Sequence, residues 1–500
     1  MIELDGNSLT LAAVEAVARG GEHAALHPAA RARVEEGWRR LREAVERGVP
    51  VYGLTTGFGA LDGRGVSPAD NRAQQRNLLM SHAAGVGRPM RDDAVRAMML
   101  IRANVLASGL TGVTPETLEA LLAMIEAGVV PVVPEQGSVG ACGDLAPLAH
   151  LSLPLIGLGR ARLGGREMSG ARALRRAGIA LPDLQGRDGL ALVNGTEQTT
   201  GIGVLALLDA QRLLATAETA AAMSLEALRA LDDSFGLELA LLKRHPGVSA
   251  TAGRLRDLTK GSTAVGEPAE GRLRDALSLR CVPQVIGASR DALDFVDATL
   301  LREINAANDN PLVLERDGRI TSNSGNFHGQ AAGQALDLLA TAVTSVAVMS
   351  ERRCARMVDE KSNGGLPPFL VGAGAGAEGL HSGLMLAQYT AAALVAEQRC
   401  RAMPASIQSI PTCAGSEDHV SMSPIAARHA AEAVEAAEVV VAIELLLAAQ
   451  AIDLRDADPA PALREAHRTV RAVVPFMAAD RVVAHDIEAI RVLVHGGAFA

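Results

Sequence analysis

Apolar residues recur at three- and four-residue intervals over long stretches of this chain, a period that predicts helices. One opens at Thr114-Pro115-Glu116, an N-cap followed by proline at the first helical position. It continues through LEALLAMIEA and stops at Gly128. Ser423-Pro424 opens another that runs to about residue 452. Segments 91–108, 201–231, 329–353 and 380–402 carry the same period, with Ala and Gly spaced so that helices can approach closely. Strands are expected only around VPVY (49–52), VVPVVP (129–134) and NPLVLERDGRIT (310–321). Gly-rich loops lie between the helices: YGLTTGFG (52–59), GSVGACGD (137–144), LVNGTEQ (192–198), SGNFHG (324–329) and SNGGLPP (362–368).

No repeat or low-complexity linker divides the chain. The expectation is a mainly α fold. Residues 201–500 would form a large bundle of long helices with a C-terminal helical region. Residues 1–200 would form a mixed, loop-rich N-terminal domain carrying the Tyr52 loop and the Ala-Cys-Gly loop.

Composition agrees with this. Apolar residues make up 48% of the 500 and aromatics only 2%, so alanine and leucine fill the core, and helices are favoured over a β-sandwich. The net charge of -9, with no basic block, gives no support to nucleic-acid or membrane-surface binding. Five scattered cysteines without a CxxC pair argue against a disulfide framework or a zinc site and fit a reducing compartment. The N-terminus is acidic where a signal peptide is basic, and the apolar stretch 436–452 is interrupted by Glu438, Glu444 and Gln450. A soluble, cytoplasmic protein is expected.

Three short motifs carry little. Gly374–Gly379 matches GxGxxG but lacks a preceding strand and any βαβ alternation, so no nucleotide is expected. His23 and His27, four apart on one expected helix face, are too few to hold a metal. Ser138, Ser152 and Ser421 sit in no GxSxG elbow.

The segment GSVGACGDLAPLAH (137–150) carries more chemistry. In Ala-X-Gly the unhindered glycine nitrogen can attack the alanine carbonyl carbon, closing a five-membered ring with loss of water. If X bears a β-leaving group, a second elimination leaves a methylidene conjugated to an imidazolone. Serine loses water in that step, and cysteine would lose hydrogen sulfide. Such a group serves as a built-in electron sink.

GSVGACGDLAPLAH closely resembles the electrophile-forming signature of the aromatic amino acid ammonia-lyases, in which Ala-Ser-Gly is usual. YGLTTGFG, RNLLMSHAAGVG, ALVNGTE, SLRCVPQVIGA, NDNPL, SGNFHG and EDHVSM extend the resemblance in the family's order along nearly the whole chain. It implies a helical homotetramer with active sites shared between subunits, and a superfold related to the fumarase/aspartase proteins. The latter's Gly-Ser-Ser-x-Met-Pro-x-Lys loop is absent, so their chemistry is rejected. The resemblance also implies a 4-methylidene-imidazol-5-one made autocatalytically from Ala141, Cys142 and Gly143, with no metal.

By the same resemblance Tyr52 is the base for the β-proton, Arg280 binds the substrate carboxylate, and Asn194 contacts substrate and electrophile. Gly59 and Phe327 line the pocket. His82, Glu417 and Met385 look like the histidine enzymes, a carboxylate and an imidazole suiting a polar ring.

The chain departs from the family's pattern in three places. Cys142 replaces serine. In RDALSLRC, Leu277 stands where the histidine enzymes have a tyrosine and Arg274 where they have glutamine, so a transition-state hydrogen bond is missing there. Gly415-Ser416 replaces Asn-Gln. The reading is a carbon–nitrogen lyase acting on histidine or a histidine-like amino acid to give a urocanate-type acid. Three alternatives stay open. The enzyme could be a lyase or 2,3-aminomutase acting on a modified histidine, a betaine or another aromatic amino acid. The chain could also be a degenerate paralogue that only binds ligand.

Overall fold

The computed structural model describes residues 1–266, 273–314, 316–372, 374, 379–455 and 458–500. Long helices dominate, and the strands of the described residues lie in small sheets of two or three. The chain forms two compact units: Met1–Leu205 with Asp297–Asp337 and Pro404–Arg428, and Ala206–Val296 with Leu338–Met403 and His429–Ala500.

In the first unit the helix Pro115–Glu126 starts as its sequence dictates, the Thr114 hydroxyl accepting the Thr117 N–H at 3.3 Å. It packs on Asp92–Ala107, which is buried along nearly its whole length and admits Arg102 because that cation is paired. The VVPVVP segment divides between two sheets. Val130–Pro131 pairs with Arg160–Leu163, and Pro134–Gln136 pairs with Val86–Pro89. In the segment 310–321, expected to hold a strand, Leu312–Val313 and Ile320–Thr321 pair antiparallel.

Two expectations fail in this unit. Residues 49–52 form no strand, because the Val51 N–H donates to the Thr55 hydroxyl at 2.9 Å and the N–H groups of Leu54 and Thr55 turn back to the Val51 carbonyl. His23 and His27 share no helix: His27 caps Pro28–Glu46, while His23 precedes the strand Ala24–Leu26 and meets Glu126 at 2.6 Å. That strand pairs in parallel with Ile2–Leu4, a contact too short for a periodicity to reveal.

The second unit includes residues from Ala206 to the end of Glu197–Ala227, the later parts of Gln330–Val358 and Ser423–Leu454, and helices such as Met385–Arg401. Alanines 220, 221, 222, 448 and 449 are wholly buried, so close helix approach fills this core, as the small-residue spacing implied. Glu444, one of the charges interrupting the apolar stretch, is buried against Arg353 with Nη2 at 2.8 Å and accepts from the Ser224 hydroxyl at 2.6 Å. Of the GxGxxG match, residues 375–378 lie outside the described residues.

Candidate active site

The Tyr52 loop is anchored by the helix Asn71–His82. Gln75 Nε2 donates to the Gly53 carbonyl at 2.9 Å, and Gln74 Nε2 to the Thr56 carbonyl at 2.7 Å. Gly53 has φ +69, with no room for a Cβ beside Leu190 and Phe58. The loop folds so that the Gly59 N–H donates to Tyr52 Oη at 2.7 Å. Phe58 stands edge-on to Tyr52 at 6.4 Å and to His82 at 6.5 Å, which joins the two through one ring. Burial pushes the Tyr52 phenol up to about 12 against the Gly59 hydrogen bond, and Cys142, Cys413 and Glu417 push it further in the same direction. Burial lowers His82, outweighing Glu417, so its imidazole is neutral at physiological pH.

Ala141, Cys142 and Gly143 occupy a tight, side-chain-poor turn. Ala141 is buried against Val420 and Met422. Cys142 has φ +50, uncommon for a residue with a side chain, and Gly143 has φ +79. A Cβ on Gly143 would collide with the Gly195 backbone, whose carbonyl accepts the Asp144 N–H at 2.6 Å. Burial raises the Cys142 thiol, and the nearby Glu417 carboxylate raises it further, so the group is a thiol and not a thiolate at neutral pH. Wholly buried Asp144 is pushed up to about 7, burial outweighing the Thr199 N–H at 2.8 Å and the Ser138 hydroxyl at 3.1 Å.

Asn194 ends the helix Asp188–Val193. Its Nδ2 donates to the Asn310 carbonyl at 2.9 Å, while its buried Oδ1 has no partner among the described residues. Beneath it Arg102 pairs with Glu197 at 2.9 Å, and Arg187 Nη2 with Asp309 at 2.6 Å, all fully buried. These pairs fix the 194–197 turn. Glu417 is held by Thr412, whose hydroxyl donates to it at 2.6 Å. Phe327 is half-buried beside His328, which stacks on His419 at 5.4 Å.

The first unit thus carries Tyr52, Gly59, His82, Cys142 and Glu417, with Tyr52 tied to Gly59 by a hydrogen bond and to His82 through the Phe58 ring, and Glu417 acting electrostatically on Tyr52, His82 and Cys142. Arg280, Leu277 and Met385 belong to the second unit. Arg280 ends the short helix Leu277–Arg280, with a buried Nε that lacks a partner among the described residues; the Ser278 carbonyl of that helix accepts from Arg353 at 3.3 Å. Leu277 is 61% exposed. Met385 begins the helix Met385–Arg401 and is half-buried.

The family model for aromatic amino acid lyases matches residues 9–472. The chain belongs to the aromatic amino acid lyase family. It is a carbon–nitrogen lyase, and its mainly α fold is that of the family. It is 48% identical to the histidine ammonia-lyase of Symbiobacterium thermophilum, over 98% of this chain and 96% of that one. Among solved structures it resembles the histidine ammonia-lyase of Trypanosoma cruzi, with TM-score 0.91, 37% identity, and coverage of 100% of this chain and 94% of that one. The tyrosine aminomutase of Streptomyces globisporus gives TM-score 0.94 and 36% identity over 100% and 97%.

Phe58, Asp144, Thr412 and Cys413 lie beside the candidate residues and were not singled out by sequence. Phe58 sits inside YGLTTGFG and Asp144 inside GSVGACGDLAPLAH, the signals that were available. Cys413 is merely one of five scattered thiols until the fold brings it to Gly59.

Proposed function

We propose that this lyase removes the α-amino group and a β-proton from histidine, giving urocanate and ammonia. The observation that carries the reading is the Glu417 carboxylate, oriented by the Thr412 hydroxyl at 2.6 Å and acting electrostatically on His82 and Tyr52. With one Glu417 oxygen held by Thr412, the other can accept an imidazole N–H, which a phenyl ring cannot supply. The likeness to histidine ammonia-lyases supports the same choice.

Ala141, Cys142 and Gly143 fit a methylidene-imidazolone. The cradle leaves no space for a Cβ at Gly143, and burial keeps the Cys142 sulfur as the thiol that departs as hydrogen sulfide. When formed, the group supplies the electrophile for the substrate amine. The chain's own residues do the rest. Arg280 grips the carboxylate with two parallel N–H groups. The unpartnered Asn194 Oδ1 accepts from the substrate. Tyr52 Oη takes the β-proton, its developing phenolate stabilised by the Gly59 N–H. The homotetramer and cytoplasmic location implied by the family resemblance belong to the same proposal.

Leu277 favours a second reading. An exposed leucine offers no hydrogen bond, so an imidazole amino acid with a better leaving group needs less from this site.

Glu417→Gln tests the assignment by comparing histidine with phenylalanine. Loss of a charge-assisted hydrogen bond of about 1.5–3 kcal/mol lowers kcat/KM for histidine roughly 10- to 100-fold. Phenylalanine turnover is unchanged or improved. Equal losses on both substrates would mean that Glu417 only holds its loop.

A further inference from the structure

The loop 412–417 does more than present Glu417. It is closed by the Thr412 N–H donating to the Glu417 carbonyl at 2.9 Å and by the Thr412 hydroxyl on the Glu417 carboxylate. Two successive residues with side chains, Cys413 (φ +51) and Ala414 (φ +53), lie in the left-handed region, a conformation kept only where the surroundings enforce it. The strain turns Cys413 toward the Tyr52 loop. Its Sγ accepts the Ala60 N–H at 3.4 Å, and a Cβ built on Gly59 would fall 2.5 Å from that sulfur. Gly59, lacking a Cβ, lets the sulfur approach, and its own N–H holds Tyr52 Oη at 2.7 Å.

We infer that Cys413 is a positioning residue for Tyr52: its sulfur fixes the Gly59-Ala60 turn whose amide holds the phenolic oxygen. One strained loop thereby sets the base at one end and the ring-binding carboxylate at the other. This rests on the reading of Tyr52 as the base, and it predicts a partial loss of turnover with little change in substrate affinity. A 1 Å displacement of a reacting group costs on the order of 10²-fold in rate. Partial loosening of one contact is expected to lower kcat about 10-fold.

The test uses the full chain labelled with fluorotyrosine, in which Tyr52 and Tyr389 are the only tyrosines. The two ¹⁹F resonances are assigned with Tyr52→Phe. Cys413→Ala, which removes the acceptor, shifts or broadens the Tyr52 resonance and leaves Tyr389 in place. Cys413→Ser, whose hydroxyl accepts the same N–H, restores it. With histidine, Cys413→Ala lowers kcat about 10-fold at a KM within about 2-fold, and Cys413→Ser recovers most of it. An unmoved Tyr52 resonance in Cys413→Ala overturns the inference, as does an equal disturbance in the Ala and Ser variants. Failure of the functional reading looks different: the unmodified chain makes no product from histidine, while the Tyr52 resonance still answers to Cys413.

Discussion

Gly143→Ala is the sharpest perturbation of the electrophile segment. The new Cβ would sit on a residue at φ +79 and in contact with the Gly195 nitrogen and carbonyl. The left-handed conformation alone costs about 1–2 kcal/mol for an alanine. Overlap with backbone adds about 1–3 kcal/mol. Gly195 cannot retreat, since its other side is closed by Arg102 and Glu197, which are buried and paired at 2.9 Å. The strain is relieved only by moving residues 141–143. A misplacement near 1 Å slows a positioned reaction about 10²-fold, and ring closure between Gly143 N and the Ala141 carbonyl carbon is such a reaction. Intact-protein mass gives the readout. The wild-type chain is lighter than encoded by one water and one hydrogen sulfide, and Gly143→Ala stays at its encoded mass. Gly48→Ala, with φ +80 but open space around it, controls for strain alone and matures normally. Full maturation of Gly143→Ala would refute the account of the cradle.

Further predictions follow from the same geometry. Tyr52→Phe keeps the mature mass and a KM within about 3-fold while kcat falls roughly 10²–10⁴-fold; an unchanged kcat would remove Tyr52 from proton transfer. Asp144 has a folded pKa near 7, raised above its ordinary 3.8, so the stability contributed by this one group is fully present below the unfolded value and is lost as pH rises toward 7. In paired denaturant titrations, Asp144→Asn therefore gains about 2 kcal/mol on the wild type between pH 5.5 and pH 7, and a pH-independent gap would contradict the burial argument. Leu277→Tyr raises kcat for histidine if the missing hydrogen bond limits the rate, and unchanged steady-state kinetics would show that it does not.

Much of this was legible in the sequence because helices announce themselves locally. Thr114-Pro115 and Ser423-Pro424 mark helix starts that the structure reproduces, at Pro115 and Ser423. Residues 49–52 misled because valine and tyrosine suit a strand, whereas the turn there depends on Thr55 and on Gln75 from another helix. The parallel pairing of Ile2–Leu4 with Ala24–Leu26 leaves no period to detect. At the site, motif residues such as Tyr52 and Glu417 could be named in advance. The neighbours that tune them could not. Phe58, Cys413 and the Arg102–Glu197 pair matter through contacts between segments distant in sequence.

The most direct test of the central claim is the joint yield of ammonia and urocanate when the purified chain is incubated with histidine. The account predicts the two in equal amounts, with urocanate followed by its ultraviolet absorbance and ammonia by a coupled enzymatic assay. Neither product from histidine, or a β-amino acid formed without free ammonia, would contradict it.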